Sequence, residues 1–180
     1  MRFHLIDRIT EVHAGKSLKA FKNLTLGEEY LADHFPTFPV MPGVMMLQTL
    51  VEAGAWLLRL SEDFRHSVVV LREVKNIKYG TFMEPGKTME VEVTLAERSD
   101  GLAVLKGKGE MEGQQTVSAK ITLATYNLSE SDPDLAGHDA RIIEDFRRQG
   151  HFLCRSTLGK KPDWSEALAG HAKRVSTTQA

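Results

Sequence analysis

At 180 residues, with 42% hydrophobic and 26% charged residues, the chain suits one ordinary folded domain plus an extension and is too short for two large ones. Its 23 basic and 24 acidic residues give a formal net charge of -1, which leaves no cationic excess for a general nucleic-acid binder. A single cysteine, Cys154, excludes an internal disulfide and a cysteine-based zinc cluster, and no metal or cofactor is expected.

The opening Met1 to Asp7 lacks the apolar stretch of a signal peptide. The richest apolar run, 44–60, carries Gln48, Glu52 and Arg59 and makes a poor membrane span. A soluble, cytoplasmic protein is expected, with neither nucleic acid nor membrane as partner. In chain order, a first strand is predicted through Leu18, Ala20, Asn23 and Leu26. An extended loop, Phe35-Pro36-Thr37-Phe38-Pro39-Val40, follows, where prolines exclude regular structure.

From Gly43 to about Leu60 the apolar residues cover nearly the whole circumference of a helix, so that helix must be buried. Its first N–H groups have no intrahelical acceptor and carry partial positive charge, a place to hold a carbonyl oxygen or an anion. Val68 to Leu71 reads as a fully buried strand. Met89, Val91, Val93 and Leu95 alternate with polar residues, as do Val117, Ala119, Ile121 and Leu123; this period of two marks strands with one covered face. Leu102 to Met111 is a weaker strand between two turn sequences. Strands joined by short turns imply an antiparallel sheet, and with one buried helix they predict a sheet wrapped around that helix.

Composition changes near Asn127. A helix is predicted from Asp132, as cap, with Pro133 at its first position, to about Leu153, packing through Leu135, Ile142, Ile143, Phe146 and Leu153. Cys154 reads as structural. A short helix is expected over 164–173 and a disordered tail over 176–180. This divides the chain into a domain of residues 1–127 and a helical C-terminal extension of residues 128–180.

Among seven histidines, spacing singles out His34, just before the loop that feeds the helix start. The stretch His34-Phe35-Pro36-Thr37-Phe38-Pro39-Val40-Met41-Pro42-Gly43-Val44-Met45-Met46-Leu47 strongly resembles the signature of the 3-hydroxyacyl-(acyl carrier protein) dehydratases. Phe3 to Arg8, Ala20 to Thr25, and Glu84-Pro85-Gly86-Lys87 are similar to the flanking parts of that family, so the resemblance covers roughly 3–127. It implies an α+β hotdog fold, a curved antiparallel sheet around a long central helix. It also implies loss of water from a 3-hydroxyacyl thioester to give the trans-2-enoyl thioester, in fatty acid synthesis or related acyl-chain synthesis.

The resemblance assigns roles. His34 matches the base that removes the proton next to the thioester carbonyl, and the Gly43 N–H matches the group that binds the carbonyl oxygen. The family's proton-donating carboxylate stands fourteen positions after the histidine, which here is Gln48. An amide can hydrogen-bond a hydroxyl but has no acidic proton to give at neutral pH. Glu52, one helical turn on, takes a position where the family often has glutamine. It reads either as a surrogate acid or as a carboxylate bonded to Gln48 or to a nearby backbone group. Its attachment point is displaced by about 6 Å from the acid position.

Tyr79-Gly80-Thr81-Phe82 departs from a basic residue and a proline common in the family, while Lys75, Lys78 and Lys87 remain nearby as a carrier-protein surface. Met45 and Met46 suit either an acyl tunnel or the core; for Met41 and Met83 core filling is the stronger reading. As partners the resemblance implies an acyl carrier protein or coenzyme A thioester. It also implies a homodimer or higher homo-oligomer joined sheet edge to sheet edge, with the histidine of one chain facing the helix of the other, or else a heterodimer. Two other functions remain open at this level: a non-catalytic acyl-binding or partner subunit, and a hotdog thioesterase using Glu52.

Overall fold

The structure is a computed structural model that describes residues 4–35, 37–99 and 101–154. The helix expected over 164–173 and the tail over 176–180 lie outside the described residues. Six strands form one antiparallel sheet: β1 (Arg8–His13), β2 (Ser17–Asn23), β3 (Val68–Tyr79), β4 (Thr88–Ser99), β5 (Leu102–Met111) and β6 (Gln114–Tyr126). Their order is β1-β2-β4-β5-β6-β3, so β1 and β3 are the two edges.

The long helix α1 (Gly43–Ser61) lies against β2, β4, β5 and β6. Its approach is tightest where a glycine on one element receives large side chains of the other. A Cβ on Gly54 would stand 3.2 Å from Leu123 and 3.3 Å from Ile121, and one on Gly107 would stand 3.2 Å from Leu50. Side chains of Val91, Val93, Leu105, Ile121 and Leu123 fill the inner sheet face and are fully buried. Their polar alternates face out, which is the period-two pattern acting in three dimensions.

Beyond β6 the chain leaves the sheet. Asp132 does cap a turn, its side chain accepting from the Asp134 N–H at 3.1 Å with Pro133 in first position. That turn is a single 3-10 turn (Pro133–Leu135), and helix α2 (Ala136–Cys154) begins only afterwards. Helix α2 closes the side of α1 that the sheet leaves uncovered. Phe146 meets Trp56 edge-on at 5.8 Å between ring centroids, and the Arg59 guanidinium lies 3.7 Å from the Phe146 centroid. Leu153 and Cys154 are buried, and burial pushes the Cys154 thiol up to about 11, an unreactive state.

Asp139 anchors the start of α2. Its carboxylate accepts from the Ser67 hydroxyl at 2.5 Å, the Leu128 N–H at 3.0 Å and the Ser129 N–H at 2.9 Å. Burial works against ionisation there, but these bonds outweigh it and hold the carboxyl below the usual range.

Three expectations are corrected. β1 has no counterpart in the sequence reading, because a register shift between Ile9 and Glu11 breaks the alternation. The first strand ends at Asn23 rather than Leu26, which is 75% exposed. The apolar run at 68–71 opens not a fully buried strand but a long edge strand, and Val70 and Leu71 are 42% and 39% exposed.

Candidate active site

The site is assembled from the loop 34–42 and the start of α1. His34 follows a short 3-10 turn (Glu29–Leu31) and is half-buried. Its Nδ1 stands 2.9 Å from the Val40 carbonyl oxygen. A carbonyl only accepts, so Nδ1 is the donor, and in the neutral ring the lone pair is then on Nε2. Phe35 packs edge-on against the His34 ring at 4.4 Å and takes a left-handed backbone with φ 54°. For a bulky residue that conformation costs on the order of 1–3 kcal/mol and persists only where its surroundings enforce it. The Phe38 N–H donates to the Phe35 carbonyl at 2.8 Å, and Val40 and Met41 are buried. The Met41 N–H donates to the Met83 carbonyl at 2.8 Å, which ties the loop to the segment before β4.

Helix α1 then starts at Gly43 with Pro42 as its cap residue. No side chain caps it, and its first turn holds no acidic residue. The helix N-terminus therefore keeps the electrostatic preference for a carbonyl oxygen that is gaining negative charge. Space dictates the glycine. A Cβ at residue 43 would lie 3.0 to 3.3 Å from three atoms of the Tyr79 ring, so a larger residue would have to move Tyr79. Tyr79 entered the sequence reading only as a departure from the family, and its contact with Gly43 follows from the course of β3.

On the outward face of this helix start, Val44 is 67% exposed and Gln48 is exposed, with Glu52 half-buried next along the stripe. Glu52 is engaged elsewhere. Its Oε2 accepts from the Leu5 N–H at 2.8 Å, and its Oε1 lies 3.4 Å from the Trp56 indole nitrogen, which donates. Burial raises its pKa above the ordinary glutamate range, and the bonds from Leu5 and Trp56 and the neighbouring His4 counteract only part of that. To give a proton to a substrate, Glu52 would have to release the N-terminal segment. The structure thus brings His34, Val40 and Gly43 into one loop-and-helix unit, while Glu52 is bound to Leu5.

Met46 joins the core together with Met41 and Met83, and Met45 is half-buried against it. The three lysines do not form one surface. Lys75 pairs with Glu73 at 2.9 Å, Lys87 pairs with Glu112 at 2.5 Å across the turn, and Lys78 faces solvent near the end of β3. Among the described residues, no group of three or more His, Cys, Asp or Glu side chains is placed to hold a metal ion.

Comparison with known proteins agrees with this architecture. Solved structures share the fold at low sequence identity. The dehydratase heterocomplex ApeI:P from Xenorhabdus doucetiae aligns with a TM-score of 0.59 at 12% identity, over 74% of this chain and 90% of that one. The protein smu.793 from Streptococcus mutans, bound to acetyl CoA, aligns with a TM-score of 0.53 at 13% identity, over 69% and 92%. Both are hotdog-fold proteins. Sequence relatives are nearer. The 3-hydroxyacyl-[acyl-carrier-protein] dehydratases FabZ of Bacillus velezensis and Bacillus subtilis are each 33% identical over 122 residues, 68% of this chain and 86% of theirs. The FabZ of Shewanella amazonensis is 33% identical over 130 residues, 71% and 85%. A family model described as the FabA-like domain matches residues 1–120, the stretch that holds His34, Gly43 and the whole of α1, and on that match and those relatives the chain belongs to the FabA-like family that includes the FabZ dehydratases.

Proposed function

We propose that this chain removes water from 3-hydroxyacyl thioesters carried on acyl carrier protein, giving trans-2-enoyl thioesters, as a hydro-lyase of acyl-chain synthesis. The observation that carries the reading is the His34–Val40 hydrogen bond, which in the neutral ring leaves Nε2 as a proton acceptor on the loop that leads into an uncapped helix start. In this reading Nε2 takes the proton from the carbon next to the thioester carbonyl. The carbonyl oxygen, becoming enolate-like, is held by the Gly43 N–H and the helix N-terminus. The departing hydroxyl leaves as water once a proton reaches it. Gln48 orients that hydroxyl by hydrogen bonding and supplies no proton itself, so we expect slow turnover; Glu52 serves as donor only if Leu5 lets go. Met45 and Met46 line the acyl path.

The reading includes a homodimer joined along β3. Supporting it, β3 is a sheet edge with one unpaired side and exposes Val70, Leu71 and Ile77 along its length. Residues 1–127 form the catalytic domain and residues 128–180 its extension. We place the protein in the cytoplasm, in keeping with its charge balance; among the described residues no helix is long and apolar enough to cross a membrane.

The test is hydration of a trans-2-enoyl thioester by the purified protein alone. Formation of the 3-hydroxyacyl thioester supports the proposal. Release of free thiol would mark a thioesterase instead, and no conversion at any protein concentration would sink the enzymatic reading.

A further inference from the structure

The end of β3 is turned by one extra residue. Val74 pairs with Ile121 and Lys75 with Lys120, but Lys78 pairs with Ser118 and Tyr79 with Val117, so β3 has gained one residue on β6 between them. Asn76 lies in that bulge with a left-handed φ of 54°. A shift of one residue sends the side chains that follow to the opposite face of the sheet. Without it residue 78 would stand opposite Val117; with it Tyr79 does, and Val117 is wholly buried on the inner face. The bulge thereby aims the Tyr79 ring at the start of α1, where three of its atoms lie 3.0 to 3.3 Å from the place a Cβ on Gly43 would take.

The next residue pins the ring there. A Cβ on Gly80 would fall 2.1 Å from the Gln115 carbonyl oxygen, so only glycine lets the chain lie this close to β6. The Gly80 N–H donates to the Thr116 carbonyl at 2.9 Å, and the Thr81 N–H donates to the Gln115 carbonyl at 3.1 Å. Further on, Phe82 meets Phe38 edge-on at 6.3 Å between ring centroids, and the Met83 carbonyl accepts from the Met41 N–H at 2.8 Å. Residues 79–83 thus run beside 38–43 as a wall fastened at both ends. Tyr79-Gly80-Thr81-Phe82 is also the stretch where the chain departs from the basic residue and proline common in its family.

We propose that Tyr79 is a specificity-determining residue, whose ring walls the carbonyl site at Gly43 and turns away 3-hydroxyacyl thioesters that carry a substituent on carbon 2. This rests on the reading that the thioester carbonyl is held by the Gly43 N–H. An oxygen bonded there lies about 2.9 Å from the nitrogen, beside the ring that covers Gly43. Carbon 1 is fixed by that bond and carbon 2 by the transfer of its proton, so a branch on carbon 2 cannot swing away from the wall. Carbons beyond the hydroxyl can, and the sulfur on the other side is common to every thioester. A 2-methyl substrate keeps one hydrogen on carbon 2 and can still lose water, so the barrier is one of space. Burial pushes the Tyr79 hydroxyl above the ordinary tyrosine range, so the group stays neutral at working pH and the ring, not a charge, excludes the branch.

The experiment uses the whole chain and its variants Tyr79→Phe, Tyr79→Leu and Tyr79→Ala. Each is offered the 3-hydroxybutyryl thioester of pantetheine and every diastereomer of the 2-methyl-3-hydroxybutyryl thioester. Loss of water is followed on both, and calorimetry gives the affinity for each. One methyl group against a fixed wall is worth about tenfold or more. The parent and Tyr79→Phe should therefore favour the unbranched pantetheine thioester by at least about tenfold in kcat/KM. Tyr79→Ala should cut that preference about tenfold by gaining on the branched substrate, with Tyr79→Leu in between. Gly80→Ala, which drives the wall off β6, should relax the preference in the same direction. The proposal is overturned by a parent without preference, by a preference that survives in Tyr79→Ala, or by a Tyr79→Ala that loses on both substrates alike. A change as large in Tyr79→Phe overturns it too, because the hydroxyl would then be the acting group. If no form of the protein turns over any 3-hydroxyacyl thioester, the dehydratase reading fails while the affinity ratio of the two thioesters still decides the wall.

Discussion

Helix α1 is one continuous element with two unlike ends. Over 49–60 nearly every residue is buried: Leu50, Ala53 and Leu57 are at 0% exposure and Trp56 at 1%, held between the inner sheet face and α2. Over 43–48 Met46 still faces the core, but the outward face is open, with Val44 67% exposed, Gln48 exposed and no cap on the first turn. Tight packing at the far end fixes the axis, so the near end can leave backbone donors unsatisfied and a histidine loop strained without fraying. Stability and reactivity are separated along one helix by about two turns. Glu52 sits at the border, with its carboxylate bound to Leu5 on one side and Trp56 on the other.

If the open end is the reactive one, changes there should alter rate and leave stability alone. The largest effect is expected at His34. Both His34→Ala and His34→Asn should lower dehydration by about 10²–10⁴-fold, because neither replacement accepts a proton near neutral pH. Thermal midpoints should hardly move. Activity within a few-fold of the parent in both variants would reduce His34 to a packing residue and remove the contrast. Next comes Gln48→Glu, which restores a carboxylate at the outward position. A gain of at least about tenfold in kcat is expected, at the low end of the range for general acid catalysis because Glu52 would crowd the new acid. A slower Gln48→Glu enzyme would show that the proton already reaches the hydroxyl by another route.

The closed end was the more legible half in the sequence. Its all-round apolar helix and the alternating strands at 89–95 and 117–123 report burial directly, because period and burial are the same fact seen twice. What stayed hidden depends on register or on partners. β1 was missed because its bulge puts Ile9 and Val12 out of step. The run 68–71 was read as buried because four apolar residues look alike on an interior strand and on an edge that awaits a partner. At the site, His34 and Gly43 were named through resemblance. The Val40 carbonyl that accepts from His34 carries no side-chain signature, and the contact of Tyr79 with Gly43 exists only through the course of β3.

Asp139→Asn probes the closed end from outside. It weakens the bonds to Ser67, Leu128 and Ser129 that moor α2. The expected outcome is a lower urea midpoint with kcat unchanged on the pantetheine thioester. The carboxyl is held below its ordinary range, so its stabilisation is complete above the unfolded value of about 4 and fades as pH falls through the lower folded value. Between about pH 4 and pH 2 the parent should therefore lose stability faster than Asp139→Asn. Parallel curves would show that α2 is held by its apolar face alone.

The smallest effect is expected at Glu52, and its sign tells which end of α1 that residue serves. Burial raises the Glu52 pKa more than the bonds from Leu5 and Trp56 lower it. Its folded value thus exceeds the unfolded one, near 4.5, and the stability it contributes is present at low pH and lost as pH rises through the folded value. Glu52→Gln keeps an acceptor for the Leu5 N–H, gives up only the longer contact to the Trp56 indole, and has no charge to bury. Parent and variant should match most closely below about pH 4. Above the folded pKa the variant should gain on the parent in urea unfolding. A carboxylate that behaves this way is reluctant to stay ionised and holds its proton to higher pH than an ordinary glutamate. That property suits a donor, but only with Leu5 released, so Glu52→Gln should then also slow any residual dehydration. If instead the parent gains on the variant as pH rises, the ionised carboxylate is held by its donors more firmly than burial opposes it. Glu52 would then be a clamp for the N-terminal segment, belonging wholly to the closed end, and the open end would have to obtain its proton from water.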